Sequence, residues 1–195
     1  MSRTATIERK TRETQISVTI DLDGTGEGKI DTGIGFFDHM LAHLAKHSLC
    51  DIEVKCRGDL QVDAHHTVED VGIALGQAIA KALGDKSGIV RYGCATVPMD
   101  EALVLTALDI SGRGSLVYGL EIKKEMIGAF DCELAPEFFK AVAANAGINA
   151  HIRQLDGGNA HHIVEAAFKS FARALREAVS IDERTTGVPS IKGTL

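Results

Sequence analysis

The pattern that most limits how this chain can fold occurs twice. Residues 63–69 read D-A-H-H-T-V-E and residues 159–165 read N-A-H-H-I-V-E, with the paired histidines 96 positions apart in a chain of 195. Upstream, T-I-D-L-D-G-T-G (19–26) matches A-L-D-I-S-G-R-G (107–114) at a spacing of 88, so the second half carries about eight extra residues between these anchors. A looser third match pairs F-F-D-H-M-L-A-H-L-A (36–45) with F-F-K-A-V-A-A-N-A (138–146). Three matches in the same order indicate a duplicated supersecondary unit.

Each half reads alike. Ile16, Val18, Ile20 and Leu22 alternate with polar residues, which predicts a half-buried strand ending in a G-x-G turn. Val104, Thr106, Leu108 and Ile110 repeat this less cleanly. A helix follows, then a short strand (Ile52, Val54, Cys56; later Ala150, Ile152), then an Ala-rich helix led by the His-His pair. Asp63 and Asn159 stand where helix N-caps belong. The expected class is α/β, an α+β sandwich of two fused half-domains, each a small mixed sheet with helices on one face. The boundaries expected are 1–88, 89–181 and a flexible tail, 182–195, with Gly84-Asp85-Lys86-Ser87-Gly88 as the junction.

Composition narrows the class of function. Hydrophobic residues make up 45% and charged residues 25%, and the net charge of -6 gives no reason to expect nucleic acid or an anionic membrane as partner. No apolar run approaches the roughly 18 residues of a membrane span, and the polar segment from Met1 to Arg12 lacks a signal-peptide core. Cys50, Cys56, Cys94 and Cys132 form no C-x-x-C pair, so a reducing cytoplasm is expected.

The histidines carry the chemistry. On a helix, residues i and i+4 share a face while i+1 is turned by about 100°. His65 and Glu69 therefore can hold one metal ion while His66 faces another, and His161, His162 and Glu165 repeat the arrangement. Two such helices about a pseudo-twofold axis give each ion a His–Glu pair and one further His. Ligands are still missing, and the preceding helices offer His39 and Glu137. Imidazole and carboxylate donors without thiolate suit manganese, iron or zinc. His39, His43 and His47 form an i, i+4, i+8 stripe, a second possible chelating face or simply a polar stripe, and His151 reads as structural.

G-F-F-D-H-M-L (35–41), D-A-H-H-T-V-E-D-V-G-I-A-L-G (63–76), H-I-R-Q-L-D-G-G-N-A-H-H-I-V-E-A (151–166) and S-I-K-G (190–193) resemble the imidazoleglycerol-phosphate dehydratase family, in order and from about residue 4 to the end. The resemblance implies a ribosomal protein S5 domain 2-like fold and two Mn²⁺ ions per active site. One ion would take His39, His66, His161 and Glu165, and the other His65, Glu69, His162 and Glu137. Many relatives have His at the position of Glu137. Glu13 matches the family's acid/base, while His47, Arg91, Arg113, Lys169, Ser190 and Lys192 match substrate-binding positions, with Arg113 and Lys169 expected to face an anion near the metals.

The reaction implied is removal of water from D-erythro-imidazole glycerol phosphate to give imidazole acetol phosphate in histidine biosynthesis. A homo-oligomer, a 24-mer with sites between subunits, is implied as well. A dinuclear metallohydrolase and a metal-storage protein are the rival readings. The first has no need of Glu13, and the second has no use for the cationic set.

Overall fold

The computed structural model describes residues 3–195, and its two halves repeat one topology. In the first half, β1 (Thr4–Lys10), β2 (Thr14–Asp21), β3 (Gly28–Asp31) and β4 (Asp51–Gly58) form a sheet of order β1-β2-β4-β3, with α1 (Gly35–Ser48) and α2 (His65–Leu83). In the second, β5 (Tyr92–Met99), β6 (Ala102–Asp109), β7 (Ser115–Gly119) and β10 (Asn149–Asp156) form a sheet of order β5-β6-β10-β7, with α3 (Leu134–Ala146) and α4 (Ala160–Val179). The pairings also correspond: β3–β4 and β7–β10 are parallel, and the other pairs are antiparallel. The extra residues fall between β7 and α3, where β8 (Met126–Ile127) and β9 (Phe130–Asp131) make a small hairpin.

Alternation along the strands decides which face is covered. Ile16, Val18 and Ile20 of β2 and Ile52, Val54 and Cys56 of β4 are buried, as are Val104, Thr106 and Leu108 of β6. Thr106 interrupts the apolar pattern without leaving a polar atom stranded, because its Oγ1 pairs with Ser170 Oγ of α4 at 2.7 Å. The corresponding first-half positions are Val18 and Ala74.

The helices lie between the sheets. α2 packs on the first sheet and on α3, and α4 packs on the second sheet and on α1, so helices of the two halves interlock. The pseudo-twofold relation thus pairs each His-His helix with the other half's preceding helix. Aromatic rings join them: Phe37 of α1 meets Phe138 of α3 edge-on at 5.3 Å, and Phe138 stacks on Phe168 of α4 at 5.2 Å. No helix among the described residues is long and apolar enough to cross a membrane. Cys50, Cys56 and Cys132 are buried free thiols and Cys94 is exposed.

The tail, expected to be flexible, is bonded to the 84–88 junction. Gly88 N–H donates to Gly187 O at 2.8 Å, Asp182 N–H to Gly88 O at 2.9 Å, and Lys86 Nζ to Leu195 O at 3.1 Å. A segment with little regular structure still satisfies its backbone this way.

The α2–α3 contact depends on Gly76, where a Cβ would lie 2.7 Å from Val142 O and 2.8 Å from Asn145 Cβ. Gly→Ala within a helix normally gains roughly 1 kcal/mol. Here overpacking against backbone is expected to outweigh it, and Gly76→Ala should destabilise by about 1–3 kcal/mol. Denaturant unfolding checks this, and a variant more stable than the parent would contradict the packing described.

Candidate functional site

Both His-His helices start alike. Asp63 Oδ1 accepts from His65 N–H at 2.8 Å, and Asn159 Oδ1 accepts from His161 N–H at 2.9 Å. Asn159 is the N-cap of α4, whereas α2 begins one residue later than expected, after Ala64. This anchoring fixes the first turn of each helix, where the histidines sit.

The first residue of each pair joins the glutamate one turn on. His65 and Glu69 of α2 meet Glu137, which α3 delivers, with one donor atom from each within 4.8 Å of the others. On α4, His161 Nε2 lies 3.2 Å from Glu165 Oε2, and α1 adds His39 Nε2 at 3.3 Å from the same oxygen. His43 Nε2 lies 3.4 Å from Glu165 Oε1, within the same group of potential ligands. These are mixed imidazole and carboxylate sets converging on a point, and they fit a divalent ion such as Mn²⁺, Fe²⁺ or Zn²⁺. A cleft of about 640 Å³ beside the first cluster is lined by Phe36, Leu60, His65, Met126, Phe130 and Glu137 among others.

Glu165 is 4% exposed. Burial alone would raise its pKa, but Lys169 Nζ at 2.6 Å, His43 and His161 outweigh that and hold it at about 2. Burial pushes the His43 imidazole down to about 4, against the pull of Glu165. His47, stacked on His43 with ring centroids 5.6 Å apart, is also lowered by burial. The second cluster is thus a buried anion among imidazoles, of which His43 is held in the neutral form, the form in which imidazole binds a metal.

His66 and His162 stand apart from both clusters. His66 Nδ1 lies 3.0 Å from Asp59 Oδ2 and its Nε2 lies 3.8 Å from Glu13 Oε1. His162 Nδ1 lies 2.7 Å from Glu101 Oε2 and its Nε2 lies 3.6 Å from Asp100 Oδ2. The Asp59 carboxylate raises the His66 pKa and Glu101 raises that of His162. Glu101 itself is held at about 2 by His162 and by the Asn159 N–H. Glu13 is exposed in the β1–β2 turn. That turn is clamped to α2 by buried Asp70, which accepts from Arg9 Nη2 at 2.8 Å and from Thr14 Oγ1 at 2.5 Å.

The cationic residues divide. Lys169 sits in the α1–α4 cluster. Arg91, Arg113, Ser190 and Lys192 lie instead where β6 ends. Arg91 binds Asp109 Oδ1 at 2.8 Å and donates to Pro189 O at 2.9 Å, which holds the tail beside it. Arg113 is exposed in a turn whose Gly112 touches Leu195, and Lys192 N–H donates to Ser190 Oγ at 3.2 Å. Eight-residue β6 separates this group from Glu101 and His162 at its start, a distance of roughly 23 Å. Within one chain, then, Arg113 lies about a strand length from His162.

Comparison with known proteins is consistent from end to end. The sequence profile described as Imidazoleglycerol-phosphate dehydratase matches residues 32–175. Proteins of that name from Desulforamulus reducens and Dinoroseobacter shibae are 58% and 60% identical, the first over all of both chains and the second over 99% of this one and all of its own. The chain belongs to the imidazoleglycerol-phosphate dehydratase family. Two solved structures of the family superpose closely. The Staphylococcus aureus enzyme has a TM-score of 0.84 at 40% identity, covering 92% of this chain and 99% of its own. The Pyrococcus furiosus one has 0.84 at 39%, covering 97% and 100%. The duplicated sheet-and-helix architecture is thus that of the family.

Sequence reasoning passed over Asp59 and Glu101. Glu101 carried a signal, since it precedes β6 as Glu13 precedes β2, at the same 88-residue spacing as the strands. Asp59 carried none, because the corresponding place after β10 is Gly157.

The His43 shift has a pH consequence for metal-stripped protein. Glu165, His39, His47 and Lys169 are the charged and titratable groups facing it. Its folded pKa lies below 6.5, so the unfolded chain takes up a proton that the folded chain refuses. Stability present above pH 6.5 should be lost as pH falls towards about 4. Urea midpoints across this window should fall less steeply for His43→Gln than for the parent, and equal slopes would contradict the assignment.

Proposed function

We propose that the protein removes water from D-erythro-imidazole glycerol phosphate to give imidazole acetol phosphate, a step of histidine biosynthesis, using two divalent ions with Mn²⁺ as the natural choice. The observation that carries this reading is the pair of His–Glu clusters, one at the head of each half's last helix, in a chain alike over its full length to relatives of that name. One ion is assigned to His39, His161 and Glu165 with His66, the other to His65, Glu69 and Glu137 with His162.

The hydroxyl to be expelled sits on the carbon attached to the imidazole ring and the proton to be removed on the next carbon, with no carbonyl beside it to take up charge. Loss of both as water leaves an enol that tautomerises to the ketone. When bound, the ions supply Lewis acidity at the ring nitrogens, making the ring the electron sink. Glu13 is the proton carrier in this reading. Its carboxylate is solvent-reached yet fixed, because Asp70 clamps its turn against α2. Arg91, Arg113, Ser190 and Lys192, with Lys169 and His47, orient the phosphate end, with Arg supplying the planar fork and Lys the point charge.

Assembly enters through geometry. Within one chain His65, Glu69 and Glu137 come together, and His39 and His161 each approach Glu165, while His66 and His162 face away and the phosphate-orienting residues at the end of β6 lie a strand length from His162. Other copies of the chain must complete each site, and a closed homo-oligomer, the 24-mer of the family, does so. Metal binding and assembly are then linked equilibria.

Two measurements test the reading together. Metal-stripped protein should not turn over imidazole glycerol phosphate and should regain turnover with Mn²⁺. Glu13→Gln should lose about 10²–10⁴-fold in kcat with its Mn²⁺ content unchanged. Tight Mn²⁺ binding without dehydration would move the reading to metal storage. Near-normal turnover of Glu13→Gln would remove Glu13 from the chemistry.

A further inference from the structure

Every residue placed in the proposed site has a task except the two carboxylates beneath the outward histidines. Asp59 Oδ2 lies 3.0 Å from His66 Nδ1, and Glu101 Oε2 lies 2.7 Å from His162 Nδ1. In each case the carboxylate occupies Nδ1, and Nε2 faces outward, approached by an exposed carboxylate, Glu13 at 3.8 Å for His66 and Asp100 at 3.6 Å for His162. An imidazole whose Nδ1–H is bound to a carboxylate is fixed in tautomer and rotation, and its Nε2 lone pair becomes a better donor.

The two devices come from different places in the repeat. In the second half the carboxylate stands just before β6, at the position where the first half has Glu13. Glu101 is fully engaged there, for its Oε1 also accepts from Asn159 N–H at 2.9 Å and Gly158 N–H at 3.3 Å. In the first half the carboxylate stands after β4 instead, as Asp59, where the second half has Gly157. Asp59 Oδ1 is buried without a hydrogen-bond partner among the described residues. A carboxylate oxygen left in that state is costly and needs a reason. Holding His66 from below supplies one, and it leaves the exposed Glu13 carboxylate on the Nε2 side, 3.8 Å away.

We propose that Asp59 and Glu101 are positioning residues that lock His66 and His162 with Nε2 presented to the metal ions, and that the shift of this duty from the Glu13 position to Asp59 frees Glu13 for proton transfer. The inference rests on the metal assignment above, in which His66 and His162 serve different ions. Each carboxylate therefore governs one ion and not the other.

Mn²⁺ titration of metal-stripped protein, followed by the electron paramagnetic resonance of the free ion, tests this without reference to turnover. The parent should bind two ions per chain. Asp59→Ala and Glu101→Ala should each weaken one of the two by about 10–100-fold and leave the other tight, and the double variant should weaken both. Asp59→Asn and Glu101→Gln, which keep an oxygen acceptor, should recover part of the loss. Parental affinities in all variants would overturn the inference, as would both ions weakening together in each single variant, the mark of a general structural defect. Failure of the parent itself to bind Mn²⁺ would instead overturn the metal assignment on which the inference stands.

Discussion

Adjacent residues on an α-helix point about 100° apart, and much of this molecule follows from that angle. His65 and His66 cannot turn to one ion, and neither can His161 and His162. The first of each pair combines with the glutamate four residues on, and the neighbouring helix of the other half brings up a further side chain able to ligate, Glu137 in one case and His39 in the other. The second of each pair is directed elsewhere. A helix that begins with two histidines therefore both builds a site and exports a ligand, and in the proposed assembly each chain gives what it also needs.

Duplication makes this economical, but the two copies have diverged where chemistry or packing asks for it. The first half anchors its hairpin turn through Asp70, Arg9 and Thr14, and this holds Glu13 near His66. In the second half Ala166 and Val97 stand at the positions of Asp70 and Arg9, and the turn is held through Glu101 on His162 and the start of α4. Both solutions satisfy buried or half-buried polar groups locally. In the first, the carboxylate on the Nε2 side is Glu13, at the turn before β2; in the second it is Asp100.

Much of this was legible in the sequence because it depends on periodicity. The alternating strands and the two His-His helices follow from apolar spacing, and the insertion follows from the drift between 88 and 96 residues. What escaped depends on turns. Asp59 lies in a loop whose counterpart in the other half has Gly157, and no spacing rule connects it to His66 seven residues on. The tail lacks periodicity, so its backbone bonds to Gly88 and its contact with the Arg91 guanidinium left no spacing signal. His43 was ambiguous for a different reason. A polar stripe on a helix looks the same in sequence whether it faces water or, as in this protein, a buried glutamate.

In the proposed assembly the ligands for one site come from more than one chain, and subunit mixing tests this most directly. His66→Ala removes the exported ligand, and His161→Ala removes part of the cluster that receives it. Each variant alone should be inactive with Mn²⁺ present. Assembled together, they include sites in which an intact receiving cluster meets an intact His66, and dehydration of imidazole glycerol phosphate should return. A mixed assembly as inactive as its parts would mean that each chain furnishes its own ligands, and the exchange of histidines between subunits would be ruled out.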